Sequence, residues 1–300
     1  MQSGAIRPIP NMLPRQLFNE EHEAFRETVR KFYEKEVIPN IEKYEKQQHV
    51  DRDLWNKAGE LGLLCTTMPE QYGGSGVDRL YSMILIEEQA YAMDSSTGFS
   101  LHSDIVANYI NNFGNEEQKQ KWLPTMATGE VVTAIAMTEP GTGSDLQAVR
   151  TTAVLEGDEY VINGSKIFIT NGYLCDMAVV VCKTGNSDKG SANLSLIIVE
   201  ANRAGFSKGK PLNKIGMKGQ DTCELFFDNV RVPKENLLGM EGMGFIMLMK
   251  ELAWERMLVA IICQAGAEAA FAHTVQYAKD RKAFGKPIGA FQDRKSTRLN

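Results

Sequence analysis

A chain of 300 residues, 43% hydrophobic and 24% charged, has the composition of an ordinary globular protein with room for two or three domains. Its formal net charge of −5, without a long basic run, argues against nucleic acid or an anionic membrane surface as the main partner. Five cysteines without CxxC spacing argue against a disulfide framework or a zinc site, and four histidines without HxxxH or HExxH spacing indicate no other metal. No uninterrupted apolar run approaches the roughly 20 residues needed to span a bilayer.

The first part of the chain is predicted to be helical. Asn19 is a typical N-cap residue, and apolar residues then recur at helical spacing. The same pattern returns over 54–64, 81–93 and 116–126. Residues 1–130 are therefore predicted to form an N-terminal all-α domain.

Residues 131–240 are predicted to form a middle β domain, because the apolar period changes towards two. The segments 131–137, 178–182, 194–200 and 222–232 are typical of strands, and Asn163-Gly164 between two apolar runs predicts a hairpin turn. Many strands with glycine-rich turns favour a sandwich or barrel.

A helical pattern returns over 241–292, which predicts the start of a C-terminal helical bundle. The predicted fold class is therefore α+β and multidomain.

The strand predicted at 131–137 runs into a turn of hydroxyls, glycines and carboxylates, TEPGTGSD at 138–145. Its glycines allow the backbone to approach a ligand closely, and Thr138 and Ser144 supply hydroxyls. From the pattern alone, an ordinary strand exit with solvated Glu139 and Asp145 explains the segment equally well.

Glu255 falls on the apolar side of the predicted C-terminal helix, in the same sector as Leu252 and Val259. Burial raises the pKa of a carboxyl group, which makes it a useful base near neutral pH. The alternative is that Glu255 pairs with Arg256 or Lys250, or extends to the edge of the helix.

The segment AIAMTEPGTGSD at 134–145 resembles the flavin-binding signature of the acyl-CoA dehydrogenase family, and the resemblance extends from about residue 17 to Gln292. It implies FAD as cofactor, a fatty acyl-CoA as substrate and oxidation of the Cα–Cβ bond to the trans-2-enoyl-CoA. It also implies electron-transferring flavoprotein as electron acceptor, a homotetramer when the chain is full length, and a location in the mitochondrial matrix, or in the cytoplasm of a bacterium.

Site residues are implied by the same resemblance. The implied catalytic base is Glu255. The implied cofactor contacts are Ile135, Ala136, Met137, Thr138, Glu139, Gly141, Gly143, Ser144, Phe168, Ile169, Thr170, Arg281, Phe284 and Gln292. The implied substrate contacts are Ser144, Ile246, Ala253, Trp254, Glu255 and Arg256.

Three interpretations of the function remain open, and the position of the base bears on the first two. Most family members carry it on a loop late in the chain, whereas long-chain and isovaleryl members resemble each other in carrying it on this helix. The segments 98–103 and 221–227 are most similar to long-chain members. An isovaleryl or other short branched-chain dehydrogenase is the second reading, and a non-catalytic acyl-CoA-binding homologue is the third.

The resemblance stops at Gln292, and residues 293–300 (DRKSTRLN) are polar and unrelated to the family. We therefore expect a truncated or chimeric end. Family members continue with a segment that completes the helical bundle and part of the FAD site. Without it, the apolar stripe of the last helix is short of partners, and we expect poor stability and weak retention of FAD.

Overall fold

The protein is described by a computed structural model that covers residues 15–185 and 190–291. Its N-terminal part is helical, as predicted. Asn19 caps the first helix by accepting a hydrogen bond from the His22 amide. The α-helices before the first strand are α1 (Glu20–Phe32), α2 (Ile41–Gln47), α3 (Arg52–Glu60), α4 (Arg79–Tyr91), α5 (Ala107–Phe113) and α6 (Glu116–Ala127).

The helices are joined by short irregular turns. Two are π-helical, Tyr33–Val37 after α1 and Leu101–Val106 before α5. The sequence pattern missed the second of these together with α5. The 3₁₀ turns are Ile38–Asn40, Glu70–Tyr72, Leu146–Ala148, Gly190–Asn193, Lys234–Asn236 and Ile288–Ala290.

A mixed, mainly antiparallel sheet follows. Its strands are β1 (Thr133–Ala136), β2 (Thr152–Glu156), β3 (Glu159–Thr170), β4 (Met177–Lys183), β5 (Leu194–Glu200), β6 (Phe206–Lys208), β7 (Thr222–Pro233) and β8 (Leu237–Leu238). They are arranged in the order β6-β7-β3-β2-β4-β5-β8, and β1 pairs with β4 in parallel.

Strands β4 and β5 are buried on both faces. Val179 and Leu196 belong to a cluster shared with α5 and α6, whereas Val180 and Ile197 belong to a cluster shared with β3 and β7. Burial on both faces explains why these strands are continuous apolar runs instead of alternating ones. The helical domain thus covers one face of β4 and β5, while side chains of β3 and β7, from the same sheet, cover their other face, in agreement with the predicted α+β class.

The hairpin predicted at Asn163-Gly164 is wrong. These residues lie inside the continuous strand β3, at an irregularity in its pairing with β7 between Ile162 and Gly164. A Cβ on Gly164 would lie 2.4 Å from the hydroxyl oxygen of Thr151, so glycine is required by a close approach and not by a turn. The actual turn connects β2 to β3 at 157–158.

A helix of 37 residues, α7 (Gly244–Asp280), runs from the sheet along α5 and α4. The hydroxyl of Tyr91 in α4 donates to the Glu268 carboxylate in α7 at 2.8 Å. After α7 the chain forms a short hairpin of β9 (Lys282–Ala283) and β10 (Lys286–Pro287).

His102 joins the helical and β parts in the interior. Because the Thr133 amide donates to its Nδ1 at 3.2 Å, Nε2 carries the proton and donates to the Met126 carbonyl at 3.0 Å. His102 is fully buried, and burial lowers its pKa to about 4.

Acid is therefore expected to destabilise the fold through His102. The unfolded imidazole has a pKa near 6.5 and the folded one about 4, so the unfolded state binds more protons between these values. The stabilisation is complete above about pH 6.5 and decreases by on the order of 3 kcal/mol as the pH falls towards 4. Urea midpoints at pH 7 and pH 5 measure this decrease. It should shrink in His102→Gln and persist in the control His273→Gln, and an equal decrease in all three proteins would contradict it.

Candidate active site

The loop after β1 is held in a tight turn by its own backbone. The amide of Glu139 donates to the Thr142 carbonyl at 2.9 Å, and the Thr142 amide donates back at 3.0 Å. A Cβ added to Gly141 or Gly143 would meet no atom within 4 Å. The space beside both glycines is open, so a ligand can approach this backbone closely, as the sequence predicted.

A buried ion pair anchors this loop to β3. The Glu139 carboxylate accepts from the amides of Arg150 and Thr151 at 2.8 and 2.9 Å, and from Lys166 Nζ at 2.9 Å. Lys166 Nζ also donates to the Met137 carbonyl at 3.0 Å. Burial alone would raise the pKa of Glu139, but hydrogen bonds from Thr151 and Lys166 hold it below its usual value. Glu139 is therefore a structural anchor, and the alternative that its side chain is solvated is wrong.

Phe168 is presented to solvent beside the same loop. The Ile167 amide donates to the Thr138 carbonyl at 2.9 Å, and the pairing of β3 with β7 is irregular between Lys166 and Ile169. At this irregularity Phe168 adopts a left-handed conformation with φ of 61°, and 63% of it is exposed. An exposed aromatic ring held in this way is unusual for the middle of a strand and is suited to contact with a flat ring system.

A cavity of about 340 Å³ lies between the loop and α7. Its wall combines hydroxyl groups, apolar side chains, one carboxylate and one guanidinium group. It is lined by Tyr109, Met137, Thr138, Gly143, Ser144, Leu146, Leu248, Met249, Leu252, Glu255 and Arg256.

Glu255 is half-buried in this wall, and its Oε1 accepts a hydrogen bond from the Tyr109 hydroxyl at 2.8 Å. Among the described residues it forms no ion pair within 4.0 Å, so the alternative of pairing with Arg256 or Lys250 is wrong. Burial raises the pKa of Glu255, the Tyr109 hydrogen bond lowers it, and the charge of Glu251 raises it further. The net increase gives the carboxylate the proton affinity expected of a base.

The cavity gathers part of the predicted site. Met137, Thr138, Gly143, Ser144, Glu255 and Arg256 all line it. The side chains of Ile135 and Ala136 are buried on opposite faces of β1, and Ile169 is buried against β7. The side chains of these three residues are therefore closed to a cofactor, and their role as cofactor contacts stays a prediction. Thr170, at the end of β3, is half-buried and pairs with Thr222 of β7.

Other predicted substrate contacts lie away from this wall. Ile246 and Ala253 are exposed elsewhere on α7, and the guanidinium of Arg79 lies 4.4 Å from the centre of the Trp254 ring. These three residues therefore do not line the cavity with Glu255, because they lie on other sectors of the helix, and their role as substrate contacts stays a prediction.

Arg281 and Phe284 belong to the hairpin after α7. Arg281 is exposed, and Phe284 is 95% exposed in a left-handed conformation with φ of 51°. Neither lines the cavity, and the role of both residues as cofactor contacts stays a prediction. Gln292 and the tail 293–300 lie outside the described residues.

Tyr109 and Lys166 were not predicted as site residues. Tyr109 lies in a helix that the periodicity missed, and Lys166 follows the Asn163-Gly164 dipeptide that was misread as a turn. A signal was present for Lys166, since a lysine occupies a position within an apolar strand pattern.

Comparison with known proteins agrees with this geometry. Family models described as the N-terminal, middle and C-terminal domains of acyl-CoA dehydrogenase match residues 19–130, 134–230 and 242–297, so the last match extends past Gln292, where the resemblance was expected to stop. The long-chain specific acyl-CoA dehydrogenase of Rattus norvegicus mitochondria is 50% identical over 293 residues, which is 97% of this chain and 68% of that protein.

Solved structures give the same result. An acyl-CoA dehydrogenase from Geobacillus kaustophilus superposes with a TM-score of 0.91 at 48% identity, covering 95% of this chain and 75% of that one. An acyl-CoA dehydrogenase from Bacillus anthracis complexed with FAD superposes with a TM-score of 0.86 at 37% identity, covering 93% of this chain and 48% of that one. The chain belongs to the acyl-CoA dehydrogenase family of FAD-dependent oxidoreductases.

The residues present fit FAD as the cofactor. The open backbone beside Gly141 and Gly143, the hydroxyls of Thr138 and Ser144 and the exposed ring of Phe168 provide polar and stacking contacts on one side of the molecule. These are the groups that a flavin requires.

Among the described residues α7 is also the one helix whose length and composition would allow a membrane span, with a mean hydropathy of 1.4 over its most apolar window. Core helices pass the same test. The family relation assigns α7 to the C-terminal helical domain.

Proposed function

We propose that the chain catalyses the FAD-dependent α,β-dehydrogenation of long-chain fatty acyl-CoA to trans-2-enoyl-CoA. The observation that carries this proposal is Glu255, a half-buried carboxylate with a raised pKa in the wall of a cavity that also contains the flavin-signature loop. A base and a redox cofactor beside one substrate carbon pair are the two requirements of this reaction.

Glu255 would remove the α-proton of the thioester. The α-proton is weakly acidic, so the base must have a high proton affinity and the developing enolate must be stabilised. Burial of the carboxylate supplies the first requirement. FAD, when bound, supplies the acceptor for the hydride that leaves Cβ.

Apolar side chains form much of the wall beside Glu255 and would exclude water from the base. Leu146, Leu248, Met249 and Leu252 border the cavity with Glu255. Methionine and leucine surfaces suit an alkyl chain, which supports a fatty acyl group as the part of the substrate that lies here. Ser144 and Arg256 line the same cavity and would contact polar parts of the acyl-CoA.

The long-chain preference is supported by the segments 98–103 and 221–227 and by the 50% identity to a long-chain specific enzyme. An isovaleryl or short branched-chain preference is the alternative, because those members resemble this chain in the position of the base. The retained carboxylate argues against a purely acyl-CoA-binding role.

Electron-transferring flavoprotein is the proposed electron acceptor, a homotetramer is the proposed assembly, and the mitochondrial matrix, or the bacterial cytoplasm, is the proposed location. Each is supported by membership of the family.

Product formation with a series of acyl-CoA substrates tests the chain-length proposal. With FAD and electron-transferring flavoprotein supplied, kcat/KM should be higher for a C16 acyl-CoA than for butyryl-CoA or isovaleryl-CoA. Preference for isovaleryl-CoA would contradict the long-chain proposal and support the alternative.

A further inference from the structure

Two carboxylates of α7 face α5 one helical turn apart. The buried Glu251 accepts a hydrogen bond from Asn112 Nδ2 at 2.8 Å, and Glu255 accepts one from the Tyr109 hydroxyl at 2.8 Å. The carboxylates are four residues apart on α7 and the donors are three residues apart on α5, so each pair lies on one helix face. The four side chains form two polar contacts between α5 and α7, one from the buried Tyr109 and one from the exposed Asn112.

No cation neutralises these carboxylates. Among residues 15–185 and 190–291, neither Glu251 nor Glu255 has a basic nitrogen within 4.0 Å. Lys250 lies 6.0 Å from the centre of the Phe113 ring, and Arg256 is exposed at the cavity wall.

The remaining side of Glu255 faces the cavity. The loop residues that line it carry hydroxyl or apolar side chains and no charge, because the carboxylate of Glu139 is bound in the interior. On α5 the one titratable group that contacts Glu255 is Tyr109. The phenol is fully buried, and burial raises its pKa, so it stays protonated and remains a donor.

We propose that Tyr109 is the positioning residue of the base Glu255 and that Glu251 favours the binding of a proton by Glu255. The phenol fixes the direction of the Glu255 carboxylate towards the cavity. The negative charge of Glu251, one turn earlier, opposes ionisation of Glu255. This inference rests on the proposed role of Glu255 and goes beyond it, because it assigns two further residues to the same step.

The two neighbours act in opposite directions on the pKa of Glu255. The Tyr109 hydrogen bond stabilises the carboxylate and lowers the pKa, whereas the charge of Glu251 raises it. Removing each one should therefore move the titration of Glu255 in the opposite sense. A purely structural role for either residue predicts no such pair of shifts.

The test is a pH titration of Glu255 in the FAD-loaded protein without substrate. Infrared difference spectra report the C=O stretch of the protonated carboxyl group, and the Glu255 band is the one absent from Glu255→Gln. Relative to the unsubstituted protein, the midpoint should rise by about one pH unit in Tyr109→Phe and fall by about one in Glu251→Gln. Midpoints that stay equal, or that move in the same direction, would overturn the proposal.

Tyr91→Phe is the matched control. It removes a tyrosine-to-glutamate hydrogen bond of the same 2.8 Å length between α4 and α7, at Glu268. The Glu255 midpoint should not change in this variant. A shift equal to that of Tyr109→Phe would show that loosening α7 is sufficient, and would overturn the assignment of Tyr109.

The acid limb of the kcat profile provides a second readout. It should follow the infrared midpoints in the same two directions while KM changes little. The titration is read without turnover, so it remains valid if Glu255→Gln proves fully active. That result would refute the proposed function alone, whereas unchanged midpoints would refute the roles of Tyr109 and Glu251.

Discussion

Replacing Glu255 by glutamine is expected to lower turnover by roughly a hundred- to ten-thousand-fold while leaving FAD binding intact. The amide has nearly the size of the carboxyl group, and its oxygen can still accept the hydrogen bond from Tyr109. It cannot accept a proton from the substrate. The change thus removes the base without opening the cavity wall.

Steady-state turnover and FAD affinity, measured on the same preparation, separate these two effects. Glu268→Gln is the control, because it neutralises another α7 carboxylate that accepts a tyrosine hydrogen bond away from the cavity. Near-normal turnover in Glu255→Gln would remove Glu255 from the mechanism. A comparable loss in Glu268→Gln would assign the effect to the helix as a whole.

Replacing Lys166 by methionine is expected to weaken FAD binding strongly and to destabilise the fold by roughly 3–5 kcal/mol, because it leaves a buried carboxylate without its cation. Lys166 is fully buried and Glu139 is 6% exposed. The pair connects the loop after β1 to the strand that carries Phe168, so its loss releases both elements that the flavin is proposed to contact.

Fluorescence titration of the apoprotein with FAD measures the affinity, and thermal unfolding measures the stability. The double variant Glu139→Gln/Lys166→Met should recover part of the stability, because the uncompensated charge is gone. Arg26→Met is the matched control, since Arg26 is a buried cation that pairs with Glu87 and Glu88 in the helical domain. It should lower stability without an equal loss of FAD affinity. Unchanged FAD affinity in Lys166→Met would contradict the anchoring role.

Local sequence patterns predicted the helices and strands that are specified by residues within the element itself. Asn19 and the apolar spacing predicted α1 because a cap and an amphipathic face are both encoded within one helix. The segment 194–200 was predicted as a strand at the same bounds that the structure gives β5. The hairpin prediction at Asn163-Gly164 was wrong because this dipeptide occurs both in turns between strands and at irregular positions inside a strand. Here the close approach of Thr151 explains the glycine.

The site was predicted where chemistry follows from residue type. Residue type made Glu255 and the glycine- and hydroxyl-rich loop candidates for a site, with alternatives left open, and the family resemblance implied their roles. The partners of these residues could not be predicted, because Tyr109 reaches Glu255 across 146 positions of sequence and Lys166 reaches Glu139 across 27. Such contacts depend on how α5, α7 and the sheet pack together. Ile246, Ala253 and Trp254 stay predicted substrate contacts, but they do not line the cavity with Glu255.

The most direct test of the proposed dehydrogenation is the visible spectrum of the protein with FAD supplied, before and after anaerobic addition of a C16 acyl-CoA. We expect the band of the bound flavin to bleach, because substrate reduces the cofactor in the absence of any other acceptor. We also expect Glu255→Gln to bind the flavin and not to bleach within the same time. A bound flavin that keeps its full absorbance with every acyl-CoA tested would contradict the proposed dehydrogenation.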